Sequence, residues 1–404
     1  MSIFQDLKSW LTQNNGYFNE NADFSKTPYG SSVIAMDHLP SDSIIVKTPF
    51  SLSITKKSAV QALSQLLNNH TALQSWNERQ CIASYLCFHH ILGGESSSLR
   101  HYSYVKTLPS ADKLRTGLFL SPEERELFRG TNLYGAIVDR EQEWRSEFTH
   151  CHAVVAEVKE EWASAFTWEL YLTSGSHISS RAFPSTLLSK TPSLISSPST
   201  EPVLLPGIDA LNHARGQPVS WVVIYPDESH NILEPYVSLV LHNAMPAGSE
   251  LFNNYGAKAN SELILGYGFS LAENPDDTIV LKIGGGKSDT KKWEVGRSAR
   301  GADGLWEEIL SILTQNSKST FEDELDASSM LEDMVRAVIE KLPQPQRSLD
   351  LGLIRPEVVE MFRNYLEGQQ NILNSLLVFV NAKEQAAIER ARLEGIDIVV
   401  GDDM

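Results

Sequence analysis

The residues with the greatest chemical potential lie between Glu250 and Phe269, in the run ELFNNYGAKANSELILGYGF. This run holds three aromatic side chains, Tyr255, Tyr267 and Phe269, and a glycine follows each tyrosine. Aromatic faces attract ammonium and sulfonium cations, and a tyrosine hydroxyl supplies both a donor and an acceptor. Packing in a core is the other common use of such side chains. The run therefore predicts either a cation-binding aromatic site or a piece of core.

A second group of polar residues ends an apolar run in LPGIDALNH, where Asp209, Asn212 and His213 cluster. The Asn-His pair offers amide and ring groups that can hold an adenine edge or pin a neighbouring strand. A capped turn is the structural alternative. A metal site would need a third ligand beside Asp209 and His213, and no recognisable spacing supplies one.

Two further segments complete the set of candidates. Arg181 lies beside small hydroxyl residues in SSRAF, where its planar fork can clamp a carboxylate or form a surface salt bridge. Gly30 enters a β-type run in PYGSSVIA, where a glycine permits close approach to the backbone or simply makes a turn.

The elements that carry these residues are strands around a helical stretch. Short β-branched runs occupy 33–36, 44–47 and 52–55, and later β-type runs occupy 203–205, 219–225, 236–241, 250–253 and 278–283. Helical spacing marks the N-terminal residues up to about Gly16, then 76–92 and 122–171, and the chain from Lys291 onward. The pattern predicts an α+β fold: a β-rich domain over residues 1–285 with a helical insertion at about 75–180. An all-α domain follows at 286–404.

Composition narrows the class of protein. The 404 residues carry a formal net charge of −17, which disfavours phosphate-backbone binding and favours encounter with basic protein surfaces. No apolar run approaches the length of a membrane span, and the N-terminus lacks a secretory pattern. The three cysteines suit no zinc cluster and are expected to be buried, reduced thiols of a cytoplasmic or nuclear protein.

Taken in order, the four segments resemble the SET-domain methyltransferases, in the branch typified by the RuBisCO large-subunit methyltransferase. The resemblance covers roughly residues 1–285 by motif and reaches the C-terminus by layout, because that branch carries a helical substrate-binding domain there. It implies S-adenosyl-L-methionine as cofactor and a protein substrate with a target lysine. No nucleic acid or membrane partner is expected, and the sequence predicts no oligomeric state.

The resemblance also implies roles for single residues. Tyr255 matches the catalytic tyrosine. Arg181 matches the residue that pairs with the cofactor carboxylate. The other expected cofactor contacts are Tyr29 and Gly30 along the methionine moiety, Asp209, Asn212 and His213 at a knot-like crossing, and Tyr267 and Phe269 as an aromatic wall around adenine.

The target amino acid follows from two channel positions. One relative methylates histidine, and it has Asn two residues after the Arg and Trp before the Asp; here these positions hold Phe183 and Ile208. An aromatic channel suits an alkylammonium and gives an imidazole no polar partner. Both differences favour lysine, with a protein of the translation machinery as the expected target. A histidine methyltransferase and an inactive SET-fold binding module remain the alternatives.

Two departures limit the comparison. Members of the family often have Glu-Gly-x-Gly at the first turn, whereas this chain has Thr27-Pro28-Tyr29-Gly30, so an acidic contact and a glycine are missing. The GGGKS run at 284–288 resembles the end of a phosphate-binding loop, but the full pattern requires glycine where Leu281 stands. We interpret that run as a flexible exit from the catalytic domain.

Overall fold

The computed structural model describes residues 2–27, 30–68, 70–226, 234–283, 291–315, 318–343 and 354–398. The chain divides into two compact units. The first consists of Met1–Leu114 and Arg140–Ala257, and the second of Arg115–Asp139 and Lys258–Met404. This division falls near residue 257 rather than at the predicted domain boundary of 285, and the second unit also takes a short piece of the helical insertion.

The described residues of the first unit form the strands β1 (Tyr17–Phe18), β2 (Ala22–Thr27), β3 (Gly30–Ala35), β4 (Ser43–Pro49), β5 (Phe183–Pro184), β6 (Pro202–Val203), β7 (Asn212–His213), β8 (Val219–Ile224), β9 (Tyr236–Leu241) and β10 (Glu250–Asn253). They form one sheet in the order β1-β4-β9-β8, a second in the order β2-β3-β10-β7, and the pair β5-β6. Alternation fixes which face is buried: Val237, Leu239 and Leu241 of β9 all point into the core.

Helices surround these sheets and fill the second unit. They are α1 (Ile3–Gln13), α2 (Lys56–Leu67), α3 (His70–Gln74), α4 (Glu78–Leu92), α5 (Tyr102–Val105), α6 (Pro122–Glu126), α7 (Asn132–Val158), α8 (Glu160–Ala165), α9 (Trp168–Arg181), α10 (Asn260–Glu262), α11 (Ala302–Thr314), α12 (Phe321–Lys341) and α13 (Pro356–Leu393). Local signals explain their starts: Ser2 caps α1, and a Thr320–Asp323 capping box begins α12.

The second unit packs α11, α12 and α13 with a hairpin of β11 (Thr278–Ile283) and β12 (Lys291–Gly296) around its own apolar core. A buried carboxylate organises its polar interior. Asp277 accepts hydrogen bonds from the Asn260 backbone N–H at 2.7 Å and from Asn260 Nδ2 at 3.1 Å, and it lies 3.4 Å from Arg297 Nη2. Arg297 Nη1 also donates to Glu367 Oε1 at 2.8 Å, which ties the hairpin to α13.

The fold is α+β, as predicted, and most predicted elements are present. Two predictions are wrong. The strand expected over 52–55 is reduced to an isolated β-bridge between Ile54 and Leu204, because residues 50–52 form a 3-10 turn in which the Ser53 N–H donates to the Phe50 carbonyl. The chain from Lys291 begins with β12 and not with a helix, so the predicted all-α region carries a strand. Trp293 and Val295 alternate with Lys292 and Glu294, which is strand spacing.

The cysteines are in the state that the sequence predicts. All three cysteines lie buried as free thiols. Within the described ranges, no helix has the length and apolarity to cross a bilayer. The same ranges hold no group of three His, Cys, Asp or Glu side chains that could bind a metal. The run at 284–288 and residues Pro28 and Tyr29 lie outside the described residues.

Candidate active site

The candidate site is built where two short strands run side by side. β7 pairs in parallel with β10, so that Asn212 lies opposite Phe252 and His213 opposite Asn253. The Ala214 N–H then donates to the Asn253 carbonyl at 2.9 Å. This pairing brings together two segments that are about forty residues apart in the sequence.

Tyr255 is held at both ends. Its backbone N–H donates to Nδ1 of His213 at 3.0 Å, and the two rings stack with centroids 5.1 Å apart and planes at 23°. Its hydroxyl donates to the Leu211 carbonyl at 2.9 Å. Gly256, which follows with φ of 88°, donates its N–H to Asn254 Oδ1. Because the hydroxyl proton points at a carbonyl, the phenolic oxygen presents its lone pairs as an acceptor.

Arg181, the last residue of α9, extends toward Asp209. Its Nη1 donates to the Asp209 backbone carbonyl at 2.9 Å and lies 3.4 Å from Asp209 Oδ2. The Asp209 side chain is only 3% exposed and that of Arg181 is 26% exposed. Burial raises the pKa of the Asp209 carboxyl, and the neighbouring guanidinium opposes that rise.

The remaining edge of the Arg181 guanidinium matters for ligand binding. Both hydrogen bonds that Arg181 makes to described residues leave from Nη1. Nε is buried and has no partner within the described part of the chain. Nε and Nη2 form the edge of the fork that a carboxylate accepts in bidentate fashion. The geometry therefore leaves a carboxylate-binding edge at this position.

Asn212 is oriented by its neighbours. Its Nδ2 donates to Glu250 Oε1 at 2.9 Å and to the Ser31 carbonyl at 3.3 Å. With both amide protons directed this way, Oδ1 faces the opposite direction as an acceptor. Gly30, at the start of β3, has φ of 140°, and a Cβ built there would meet nothing within 4 Å. The backbone at Gly30 is thus open to a ligand.

The two expected channel residues have different surroundings. Phe183 begins β5, and its ring lies edge-on to Trp221, with the centroids 6.3 Å apart. Ile208 is fully buried in the core of the first unit. The tight turn before it needs a glycine, since Gly207 has φ of 88° and its Cβ would lie 2.9 Å from Val46 Cγ1.

Tyr267 and Phe269 belong to the second unit. Their rings form an edge-to-face pair with centroids 6.2 Å apart, and Lys258 Nζ lies 5.6 Å from the Tyr267 ring centroid. Burial raises the pKa of the Tyr267 hydroxyl, and the Lys258 charge opposes this. Tyr267 and Phe269 thus contact each other within the second unit, and their role as an aromatic wall around adenine stays a prediction.

Sequence reasoning missed three contributors to the first unit's site. Tyr104 of α5 donates its hydroxyl to Asp209 Oδ2 at 2.7 Å, and Glu250 and Trp221 contact the predicted residues as described above. Tyr104 gave no signal because α5 has only four residues. Trp221 was detectable as an aromatic residue within a strand run close to the Asn-His pair.

A Ser-His-Asp constellation also exists on the first unit, but it lacks the setting of a nucleophilic triad. His242 Nε2 lies 2.7 Å from Ser220 Oγ, and its Nδ1 lies 2.7 Å from Asp42 Oδ1. The Asp42 side chain is 72% exposed and that of His242 is 40% exposed. A triad aspartate is buried so that it can orient the imidazole, whereas water competes for these exposed bonds. We interpret the group as a surface network joining strand ends.

The solved structures that resemble this chain share one fold. The SET domain of LSMT bound to lysine and AdoHcy superposes with a TM-score of 0.75 at 14% identity, covering 96% of this chain and 93% of that one. Rubisco LSMT bound to AdoMet superposes with a TM-score of 0.73 at 15% identity, covering 100% of this chain and 98% of that one.

The chain has the SET-domain fold. This confirms the fold expected from the motifs. The likeness in fold extends through the second unit, since nearly all of the chain is covered.

Curated relatives agree with this fold at the level of sequence, although no family model matches the chain. Ribosomal lysine N-methyltransferase set10 of Schizosaccharomyces pombe is 33% identical over 63% of this chain and 42% of its own length. Ribosomal lysine N-methyltransferase 1 of Saccharomyces cerevisiae is 35% identical over 29% of this chain and 18% of its own length. The human actin-histidine N-methyltransferase is 24% identical over 71% of this chain and 45% of its own length. The chain thus spans less than half the length of these three relatives.

Proposed function

We propose that this protein is an S-adenosyl-L-methionine-dependent protein-lysine N-methyltransferase with Tyr255 as its catalytic residue. The observation that carries the proposal is the fixed Tyr255, whose backbone is tied to His213 and whose hydroxyl is tied to the Leu211 carbonyl. Two relatives named ribosomal lysine N-methyltransferases support the reaction class. Structural neighbours bound to AdoMet or AdoHcy support the cofactor.

The residues of the first unit fit that cofactor. Arg181 offers the Nε–Nη2 edge to the carboxylate, and the buried Nε has no other described partner. The open backbone at Gly30 suits the methionine chain, while Asp209, Asn212 and His213 hold the neighbouring segment. Tyr29 beside Gly30, and Tyr267 and Phe269 as an aromatic wall, remain predictions of the resemblance. When bound, the cofactor supplies an electrophilic methyl group on a sulfonium.

Methyl transfer to an amine is an in-line displacement that requires a deprotonated, aligned nucleophile. The ordinary pKa of a lysine amine is about 10.4, so the site must favour its neutral form. Apolar walls lower the pKa of an amine by desolvation, and Phe183 and Trp221 provide aromatic faces of this kind. The Tyr255 oxygen and the Leu211 carbonyl supply acceptors that orient the amine and the methyl C–H groups.

Lysine is the proposed target because of Phe183. Asn at this position would give an imidazole a hydrogen-bond partner, whereas Phe183 with Trp221 offers an aromatic surface suited to an alkylammonium. Ile208, the other channel prediction, is buried in the core and would act by shaping the wall from behind. The actin-histidine relatives make histidine methylation the second candidate.

We further propose a basic protein of the translation machinery as substrate, in the cytoplasm or nucleus. The names of two relatives, both ribosomal lysine N-methyltransferases, point to ribosomal proteins. The chain's net charge of −17 favours encounter with such basic surfaces.

The test combines cofactor binding with transfer. The full chain is first heated with and without saturating S-adenosyl-L-methionine, where a rise in the melting temperature is expected because the ligand binds only the folded state. The chain is then incubated with labelled cofactor and a methylation-deficient lysate. Label on a lysate protein is expected only when the chain is present. Binding without transfer would identify an inactive binding module, and the absence of binding would contradict the proposal.

A further inference from the structure

Tyr104 is a buried residue outside every sequence motif, yet its side chain contacts Asp209, one of the expected cofactor-binding residues. Its side chain is 2% exposed, and its hydroxyl donates to Asp209 Oδ2 at 2.7 Å. The short helix α5 that carries it is fixed on both sides. His101, just before α5, meets the Leu52 carbonyl at 3.1 Å, and His177 Nε2 meets the Pro109 carbonyl, after α5, at 2.8 Å. Tyr104 is therefore a rigidly placed donor.

Asp209 connects this donor to Arg181. The Asp209 backbone carbonyl accepts a hydrogen bond from Arg181 Nη1 at 2.9 Å. The Asp209 side-chain oxygen Oδ2 accepts a hydrogen bond from Tyr104 and lies 3.4 Å from the same Arg181 nitrogen. The carboxylate is thus shared between a phenol and a guanidinium. A carboxylate that already holds a good neutral donor attracts the guanidinium less closely, which preserves the direction and effective charge of the Nε–Nη2 edge.

We propose that Tyr104 is a positioning residue that acts through Asp209 to aim Arg181 at the carboxylate of the cofactor's amino-acid moiety. The proposal rests on the proposed function, because it presumes that Arg181 receives this carboxylate. Without the Tyr104 hydroxyl, Asp209 Oδ2 has Arg181 as its remaining partner, and the distance between the carboxylate and the guanidinium shortens. The guanidinium then turns toward Asp209, and part of its charge is no longer available to the ligand.

A selective loss of carboxylate recognition distinguishes this role from general support of the fold. S-adenosylhomocysteine carries the amino-acid carboxylate, and 5′-methylthioadenosine carries the same nucleoside and sulfur without it. Calorimetric titration of the full chain with both ligands therefore separates the two effects. Tyr104→Phe keeps the ring that fills the core and removes only the hydroxyl.

The matched control is Tyr85→Phe. Tyr85 is as buried as Tyr104, lies in the same core, and places its hydroxyl 2.6 Å from His101 Nδ1, away from Asp209. Both variants lose one buried phenolic hydrogen bond. Tyr85→Phe releases His101 just before α5, so it also controls for a loosening of α5, whereas only Tyr104→Phe removes a contact to the Arg181 pair. A loss common to both variants therefore reports on the fold alone.

The expected result is that Tyr104→Phe weakens S-adenosylhomocysteine binding about tenfold, in line with a lost charge-coupled hydrogen bond, and leaves 5′-methylthioadenosine within about twofold of the wild type. Tyr85→Phe is expected to leave both affinities unchanged. Equal affinity of Tyr104→Phe and wild type for S-adenosylhomocysteine overturns the inference, as does equal weakening of both ligands. A wild type that binds neither ligand overturns the proposed function itself.

Asp209→Asn is a second variant, for the case in which Tyr104→Phe does not fold. Asp209→Asn retains the shape of the side chain and removes the charge that would draw Arg181 away from the ligand, so it is expected to keep S-adenosylhomocysteine affinity within about twofold of the wild type, and a selective loss of that affinity contradicts the inference. If both variants fold, their combined effect on S-adenosylhomocysteine affinity is expected to be less than additive, since they interrupt one chain of contacts. Full additivity contradicts action through Asp209.

Discussion

The hydroxyl of Tyr255 donates its proton to the backbone carbonyl of Leu211 across 2.9 Å. The backbone N–H of the same residue donates to His213 Nδ1, and the ring cannot swing away without losing the Leu211 contact and its stacking on His213. Strand pairing between β7 and β10 holds the two partners at this distance. These contacts make the phenolic oxygen of Tyr255 a fixed hydrogen-bond acceptor.

Tyr255→Phe is expected to reduce methyl transfer by about 100-fold or more, because it removes one preorganised polar group from the reacting centre. Cofactor affinity should change little, since the ring and the His213 contact persist. A radiolabelled transfer assay checks the rate, and calorimetry checks the affinity. Tyr85→Phe serves as the control for loss of a buried phenol, and undiminished turnover in Tyr255→Phe would remove Tyr255 from the mechanism.

Phe183→Asn is expected to lower lysine methylation about tenfold, because it replaces an aromatic face with a hydrated amide in the proposed channel. Phe183→Leu, which keeps the wall apolar, should lose less. Amino-acid analysis of the labelled product gives both rates and any label on histidine. Equal rates for the Asn and Leu variants would show that the wall's polarity does not set the specificity.

Asp277→Asn is expected to lower the free energy of unfolding by about 3 kcal/mol, because it breaks a buried charge pair and turns an amide donor toward the donors of Asn260 and Arg297. Urea unfolding measures the change. The control is Asp303→Asn, since Asp303 pairs with Lys383 at the surface and should contribute less than about 1 kcal/mol. A similar small loss for both variants would rule out Asp277 as the organising carboxylate.

Stability should fall steeply in mild acid because of three buried histidines. Burial lowers the pKa of His89 to about 3, of His101 to about 4 and of His177 to about 3, from an ordinary 6.5. The unfolded chain takes up these protons as the pH falls through 6.5, whereas the folded chain does not. The stability is therefore fully present above that pH and is lost below it, by about 1.4 kcal/mol per pH unit for each histidine.

His89 allows this slope to be tested, because both of its ring nitrogens are buried without partners in the described residues. His89→Leu is expected to keep or raise stability at neutral pH and to reduce the acid slope by about one proton. Urea unfolding between pH 4 and 7 provides the measurement, with the exposed His38→Gln as control. An unchanged slope would contradict the assignment.

Much of the site could be predicted because its residues occur in ordered motifs. Asn212, His213 and Tyr255 lie on or beside β7 and β10, and each belongs to a motif on which the family resemblance rests. The strands 219–224 and 236–241 followed from β-branched alternation. In these segments, local pattern and tertiary contact favour the same structure.

The rest depended on contacts between distant parts of the chain. Tyr104 is 105 positions before Asp209 and lies on a helix too short to show periodicity. The pairing of Asp277 with Asn260 and Arg297 likewise leaves no local pattern. β12 is different, because Trp293 and Val295 alternate with polar residues at the spacing of a strand, although the longer pattern from Lys291 onward predicts helices.

The most direct test of the proposed function is to identify the methylated atom. A ribosomal-protein fraction is incubated with the full chain and S-adenosyl-L-methionine, and the products are mapped by mass spectrometry. The proposed function predicts methyl groups on lysine side chains with the wild type and with Tyr85→Phe, and their absence with Tyr255→Phe. Methylation on histidine, or none from a wild type that binds the cofactor, would contradict it.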